Sequence, residues 1–189
     1  MKKIKIVCIG GSMEAGSSTL GLLNYAAHYL TSKGADVYLA NIKSLALPVF
    51  SYKSMNSGLN RSFKLLIKKV KEADGIILAS PEYHGTVSAA FKNLMDYFEV
   101  LSGVNPPYLT GKPVSCIAIG GAENSGHSTL ISMFSIVYNL RGIFLPSGFA
   151  LGYSVNLFDK NKKLSGAGAV KKIKRLADEL IYVSAKLKK

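Results

Sequence analysis

Strand-like and helix-like hydrophobic patterns alternate along this chain of 189 residues. Short apolar runs such as Ile4–Ile9, Gly75–Ala79 and Pro113–Ile119 are each followed by a longer segment with apolar residues every three or four positions. Runs that are apolar on both faces are typical of strands covered by helices on two sides. The alternation therefore predicts an α/β fold with a parallel sheet and right-handed crossover connections.

The predicted elements account for most of the chain. Five strands are predicted at Ile4–Ile9, Asp36–Ile42, Gly75–Ala79, Pro113–Ile119 and Ile143–Leu151. Helices are predicted at Ser18–Ser32 and around the apolar stripes Phe63–Val70, Phe91–Phe98, Leu130–Val137 and Ile173–Ile181. Pro48–Asn60 has no periodicity and is predicted to be a long loop. Because no repeat or change of composition interrupts the pattern, we expect residues 1–189 to form a single domain.

Composition excludes several classes of protein. Hydrophobic residues make up 48% of the chain and charged residues 19%, which is ordinary for a globular protein and wrong for a disordered one. No apolar run reaches the roughly 18 residues that a membrane span needs. Ile4–Ile9 is also too short for the apolar region of a signal peptide. We therefore expect a cytoplasmic protein.

The net charge of +13 has two interpretations. The first is a solvated, lysine-rich surface. The second is attraction of anionic ligands such as a nicotinamide dinucleotide, or weak nonspecific binding of nucleic acid. Because the lysines are not interleaved with aromatic residues, the sequence does not favour nucleic acid as a partner.

Ligands of open parallel sheets bind beyond the carboxyl ends of the strands. After the first strand comes Gly10–Thr19, which contains small residues and hydroxyls and leads into a helix N-terminus. Such a loop can hold phosphate through hydroxyls, free N–H groups and the helix dipole. It lacks the lysine of a nucleoside triphosphate loop and the spacing G-x-G-x-x-G, so a phosphate monoester fits best. A plain serine-rich helix cap is the alternative.

The segment after the third strand carries a longer motif. Ser80–Phe98 reads S-P-E-Y-H-G-T-V-S-A-A-F-K-N-L-M-D-Y-F. It resembles the P-E-Y-N-x-S-x-P-G-x-L-K-N-x-[IL]-D-[WY] segment of the NADPH-dependent FMN reductase family. The loop after the first strand is similar to the G-S-x-R-x-x-S phosphate loop of that family, and the order of elements matches over nearly the whole chain.

The resemblance implies a flavodoxin-like three-layer sandwich with five parallel strands in the order 2-1-3-4-5. It further implies FMN as cofactor, NADPH or NADH as hydride donor, and a homodimer or homotetramer. A small acceptor would take the electrons: a quinone, an azo or nitro compound, a metal ion or free flavin. By position, the FMN phosphate would be held by Ser12, Ser17, Ser18 and Thr19. The flavin ring would be lined, largely through backbone groups, by Pro81, Glu82, Tyr83, His84, Gly85 and Thr86. The loop Gly120–His127 resembles a second flavin loop less closely and would contribute Gly121 and His127.

Four positions depart from the family pattern. Glu14 stands where the family has Arg, His84 where it has Asn, and Ser88-Ala89 where it has Pro-Gly. Since a carboxylate repels a phosphate dianion, we expect Glu14 to point outward or the phosphate to be held by hydroxyls and amides alone. The other departures bear on substrate preference and flavin affinity.

Several roles stay open at this point. Tyr83 either stacks on a ligand or packs at a subunit interface, and His84 and His127 either line the ring or lie on the surface. The sequence contains no Ser-His-Asp arrangement and no metal-spaced cluster. Hydride transfer through a flavin needs orientation, and the cofactor itself supplies the reactivity. We therefore expect no catalytic side chain.

Two rival functions are a flavodoxin-type electron carrier, which does not use NAD(P)H itself, and a flavin-free regulatory or nucleic-acid-associated relative.

In the implied strand order, a third strand separates the strands of Cys8 and Cys116. That places the two cysteines about 9–10 Å apart, measured between their strands. The Cα atoms of a disulfide lie no more than roughly 7 Å apart. Both are expected to be reduced core residues.

Overall fold

The computed structural model describes residues 2–14, 16–152, 157–159 and 164–188. Its strands are β1 (Lys5–Gly10), β2 (Asp36–Asn41), β3 (Gly75–Tyr83), β4 (Thr86–Val87), β5 (Pro113–Ile119), β6 (Ile143–Phe144) and β7 (Phe149–Leu151). Its α-helices are α1 (Ser18–Ser32), α2 (Ile42–Leu45), α3 (Tyr52–Asn56), α4 (Arg61–Glu72), α5 (Ala89–Tyr97), α6 (His127–Asn139) and α7 (Ala167–Leu187), and a 3-10 turn follows α5 at Phe98–Leu101.

The sheet has the predicted order. Its path is β2-β1-β3-β5-β6, and all four pairings along that path are parallel. Since β5 and β6 are the fourth and fifth predicted strands, the order 2-1-3-4-5 is confirmed. The apolar side chains form two clusters, one on each side of the sheet, under α1 and α7 on one side and under α4, α5 and α6 on the other.

The fifth predicted strand is not continuous. Residues 143–151 form two short strands, β6 and β7, which both pair with β5. Between them Pro146 has no N–H to donate to a ladder, and the N–H of Gly148 turns back to the carbonyl of Leu145 at 3.2 Å. The interruption therefore follows from a proline inside an otherwise strand-like run.

The third strand extends further than predicted. It was expected to end at Ala79, but it runs on to Tyr83 and turns back into β4 as an antiparallel hairpin. The two turn residues, His84 and Gly85, have φ of 52° and 79°, as a two-residue hairpin turn of type I′ requires. We call residues 80–88 the motif hairpin.

Pro48–Asn60 is not a plain loop, so that prediction is wrong in part. The helix α3 lies within it, begun by a reciprocal capping box between Ser51 and Ser54. Asn93 of α5 ties the segment down, because its Oδ1 accepts from the N–H of Phe50 at 2.8 Å and its Nδ2 donates to the carbonyl of Pro48 at 2.9 Å. Since α3 buries no side chain, hydrophobic periodicity could not reveal it.

The two cysteines lie where the strand order placed them. Cys8 of β1 is beside Ile77 of β3, and Cys116 of β5 is beside Leu78 of the same strand. Both are buried and free, which confirms the expectation of reduced core residues. Burial raises the pKa of the Cys8 thiol to about 12, so this thiol stays protonated at neutral pH.

Within the described residues, no helix combines the length and the apolar character that a membrane crossing requires.

Candidate functional site

Three loops meet at one edge of the sheet. Gly10 at the end of β1 is beside Ala79 of β3, and Pro81 of β3 is beside Ile119 at the end of β5. Because these strands are parallel neighbours, the loops that follow them are neighbours as well. The loop after β1, the motif hairpin and the loop after β5 therefore form one candidate site.

The loop after β1 is built around close backbone approach. A Cβ on Gly10 would stand 2.2 Å from the carbonyl oxygen of Ala79, so only glycine fits there. The Ser12 side chain is buried, and its Oγ accepts from the N–H of Glu14 at 3.1 Å. Ser17 caps α1, its Oγ accepting from the N–H of Leu20 at 3.3 Å. The loop is thus a preformed turn that ends at a helix N-terminus; Ala15 lies outside the described residues.

The donors of this loop suit an anion. Ser18 is half-buried, Thr19 is buried, and the first turn of α1 carries no acidic residue. Glu14 is exposed to solvent. Among the described residues other than its chain neighbours, no atom lies within 4 Å of the position that a Cβ on Gly16 would take, which leaves open space beside the hydroxyls. Hydroxyls, amides and the positive end of a helix dipole are the groups that bind a phosphate monoester.

The motif hairpin is held at its base by two serines. Ser80 is fully buried; its Oγ donates to the carbonyl of Pro81 at 2.9 Å and accepts from the N–H of Ser88 at 3.1 Å. Ser88 in turn caps α5 by accepting from the N–H of Phe91. The start of α5 therefore sets the position of the hairpin.

The tip of the hairpin is open to solvent. Tyr83 is 51% exposed, and His84, Gly85 and Thr86 are exposed as well. Pro81 and Glu82 are half-buried at the base. This arrangement leaves an aromatic ring and backbone groups available to a flat ligand.

Glu82 connects the hairpin to the third loop. Its Oε2 accepts from the N–H of Gly126 and from the Oγ1 of Thr129, both at 2.9 Å. Beyond it, the Oγ1 of Thr86 donates to the Oγ of Ser132 at 3.2 Å. The carboxylate of Glu82 therefore faces α6.

The loop after β5 turns tightly on itself. The Oγ of Ser125 donates to the carbonyl of Ala122 at 2.6 Å and accepts from the N–H of the same residue at 3.0 Å. Gly121 is exposed with open space at its Cβ position, and His127 is exposed at the first turn of α6. Both predicted residues of this loop thus lie at the surface of the site.

All twelve predicted site residues lie on these three loops or on the first turns of the helices that follow them. Sequence reasoning missed Ser80, Ser88, Gly126 and Thr129, which hold the loops together. Of these, Ser88 had a local signal, a hydroxyl just before an amphipathic helix. Ser80 acts within the hairpin, whereas Gly126 and Thr129 contact Glu82, 44 and 47 residues away along the chain, which no local pattern shows. Among the described residues, no group of three or more His, Cys, Asp or Glu could hold a metal ion.

The residues present fit FMN. The loop after β1 offers hydroxyl and amide donors without a competing acidic side chain in the first turn of α1. In the described part of the chain, the Cβ positions of Gly16, Gly85 and Gly121, one on each loop, face open space. The donor set and the space therefore match a phosphate tail joined to a flat ring.

Comparisons with known proteins point the same way. The family model of NADPH-dependent FMN reductase matches residues 4–156. NADPH azoreductase of Bacillus sp. (strain OY1-2) is 28% identical over 141 residues, covering 75% of this chain and 71% of that protein. NADPH:quinone oxidoreductase of Arabidopsis thaliana is 28% identical over 171 residues, covering 87% and 81%. The solved structure of FerB, a flavoenzyme NAD(P)H:(acceptor) oxidoreductase from Paracoccus denitrificans, superposes with a TM-score of 0.77 at 12% identity, over 96% of this chain and 97% of that one.

The structural likeness shows the fold, and the family model covers most of the chain, including all three loops of the site. This chain belongs to the NADPH-dependent FMN reductase family.

Proposed function

We propose that this chain is an FMN-dependent oxidoreductase that takes hydride from NAD(P)H and delivers electrons to a small acceptor. The observation that carries the proposal is the meeting of three loops at the carboxyl edge of the sheet, one with phosphate-type donors and two beside open space. Membership of the family supplies the nature of the cofactor. A quinone, an azo or nitro compound, a metal ion and free flavin are the proposed acceptor classes.

The chain's own residues bind and orient. Ser12, Ser17, Ser18 and Thr19 would hold the phosphate, and the backbone of the motif hairpin would lie along the ring. Bound FMN would supply the redox chemistry between the dihydronicotinamide and the acceptor. Exposed Tyr83 would offer a stacking face to whichever substrate enters. No side chain is required to transfer a proton, because the bound cofactor would supply the reactivity.

Anaerobic reduction tests this function. Adding NADPH or NADH to the FMN-loaded protein should bleach its yellow colour, and a quinone added afterwards should restore it. Because both substrates would use one exposed face, double-reciprocal plots against quinone concentration should be parallel. Protein that binds FMN but is not bleached by either nucleotide would instead be a flavodoxin-type carrier. Protein that does not bind FMN at all would contradict the proposal.

We also propose that the chain forms a homo-oligomer through the outer face of α6. Ile131, Phe134 and Tyr138 are 69%, 49% and 72% exposed along this helix. The helix contains no Asp, Glu, Lys or Arg, in a chain with a net charge of +13. Two copies would therefore meet with least repulsion on this face.

The neighbouring groove has both signs of charge. It holds about 440 Å³ and is lined in part by Asp96, Glu99 and Arg141. In the described part of the chain, Arg141 forms no ion pair. Its guanidinium carbon lies over the ring of Tyr108, 5.8 Å from the ring centroid. A two-fold contact sets a patch against its own copy, so a patch with both signs can complement itself.

Sedimentation velocity checks this interface. The unmodified protein should sediment as a dimer or larger, and Ile131→Glu combined with Tyr138→Glu should sediment as a monomer. Tyr182→Glu on α7, at a position that is 64% exposed, is the matched control and should keep the wild-type mass. A monomeric wild-type protein, or a double variant that still associates, would exclude this face.

We propose a cytoplasmic location on two grounds: the proposed use of NAD(P)H, and the two cysteines, whose thiols are free and buried.

A further inference from the structure

We propose that Glu82 is a positioning residue, whose carboxylate locks the loop after β5 and the start of α6 to the motif hairpin. The inference rests on the proposed function, because it concerns how the FMN site is held in shape. It assigns to the Glu82 side chain a role that differs from contact with the ring.

One carboxylate oxygen makes both contacts. Oε2 of Glu82 accepts from the N–H of Gly126 and the Oγ1 of Thr129, each at 2.9 Å. Gly126 and the Thr129 side chain are buried, and they lie 44 and 47 residues further along the chain. Hydrogen bonds to an ionised acceptor are roughly twice as strong as neutral ones. These contacts therefore join two loops that the sequence keeps far apart.

The start of α6 needs such a partner. Its N-cap is Gly126, which has no side chain to satisfy the free N–H groups of the first turn. In an ordinary capping box, the side chain at the third helical position, here Thr129, reaches back to the N–H of the cap residue. Glu82 performs this capping from outside the helix, because its carboxylate accepts hydrogen bonds from both the cap N–H and the hydroxyl at the third position. Its negative charge also lies at the positive end of the helix dipole, where it is stabilising.

A second contact attaches the hairpin to α6. The contact from Thr86 to Ser132 lies about one turn further along α6 and adds a second, solvent-exposed attachment. The hairpin is thus attached to α6 at two points, through the carboxylate of Glu82 and through the hydroxyl of Thr86.

Two variants separate this role from others. Glu82→Ala removes both hydrogen bonds, whereas Glu82→Gln keeps an amide oxygen that can accept both without the charge. In the FMN-free protein, amide exchange at Gly126 should accelerate by on the order of tenfold to a hundredfold in Glu82→Ala, as expected for hydrogen bonds to a charged group. The dissociation constant for FMN, measured by flavin fluorescence, should rise by about tenfold or more in the same variant. Glu82→Gln should recover most of both losses.

The readouts distinguish the possible failures. If Glu82→Ala leaves exchange at Gly126 unchanged yet loses FMN, Glu82 contacts the cofactor directly and the positioning role is wrong. If neither measurement changes, the carboxylate has no role in the site. If exchange accelerates but even the wild-type protein binds no FMN, the lock stands and the proposed function fails.

Thr129→Val keeps the test valid if Glu82→Ala does not fold. Valine has nearly the shape of threonine and removes only the hydroxyl contact to Oε2. Exchange at Gly126 should then accelerate by roughly three- to tenfold, since the carboxylate would be held by one hydrogen bond from α6 instead of two. Unchanged exchange at Gly126 in Thr129→Val would overturn the proposal.

Discussion

Ser17→Asp should weaken FMN binding by at least about a hundredfold while leaving the FMN-free protein as stable as the wild type or more so. Aspartate caps helices as well as serine does, and its charge is favourable at the N-terminus of α1. A carboxylate about 4 Å from a phosphate charge costs roughly 4 kcal/mol at an effective dielectric constant of 20, which is about a thousandfold in affinity before screening by salt. Helix stability and cofactor affinity should therefore change in opposite directions.

Ser17→Asn is the matched control, because asparagine is an equally good cap without the charge. Titration followed by flavin fluorescence should give an affinity within about tenfold of the wild type for Ser17→Asn, since only one neutral contact is altered. Urea unfolding of the FMN-free proteins gives the second half of the comparison. Equal affinities for Ser17→Asp and Ser17→Asn would show that the phosphate does not lie at the N-terminus of α1.

Gly10→Ala should destabilise the protein by about 3 kcal/mol or more, a loss in the range of severe core overpacking. The added methyl carbon would stand 2.2 Å from the carbonyl oxygen of Ala79 and 2.9 Å from the Cβ of the same residue. Relief would require β1 and β3 to separate at the end of the sheet where the loops meet. A large drop in the urea midpoint is expected, with loss of FMN binding in whatever fraction folds.

Gly34→Ala separates the clash from backbone strain. Gly34 has φ of +89°, and no described residue apart from its chain neighbours comes within 4 Å of its Cβ position, so alanine there meets strain alone. That change should cost roughly 1–2 kcal/mol. If Gly10→Ala proves no more destabilising than Gly34→Ala, the close approach of β1 to β3 is wrong.

Elements with a complete local signal were predicted well. The helix α1 has the predicted bounds, because Ser17 caps its start, Gly34 follows its end and an apolar stripe runs between them. The strands β1 and β5 lie within a residue of their predicted ranges for a similar reason: each is apolar on both faces and ends at a glycine pair. Burial of those residues is required by any packing of the chain.

Elements that depend on individual polar contacts were predicted poorly. The helix α3 buries no side chain and depends on Ser51, Ser54 and the tie from Asn93. The extension of β3 depends on Ser80, whose hydroxyl meets the N–H of Ser88 across the hairpin. Hydrophobic periodicity carries no information about such contacts, because each depends on a single pair of atoms.

The sequence by itself therefore determined the α/β layering, the strand order through its family motifs, and the three loops in which a cofactor could bind. Only the tertiary structure decided how those loops are held: Glu82 turns to α6 because Gly126 and Thr129 stand there with hydrogens to donate. The physical reason is the separation along the chain between the residues that interact. Apolar burial repeats along the chain and is visible locally, whereas a hydrogen bond between residues 44 positions apart exists only once the sheet has brought them together.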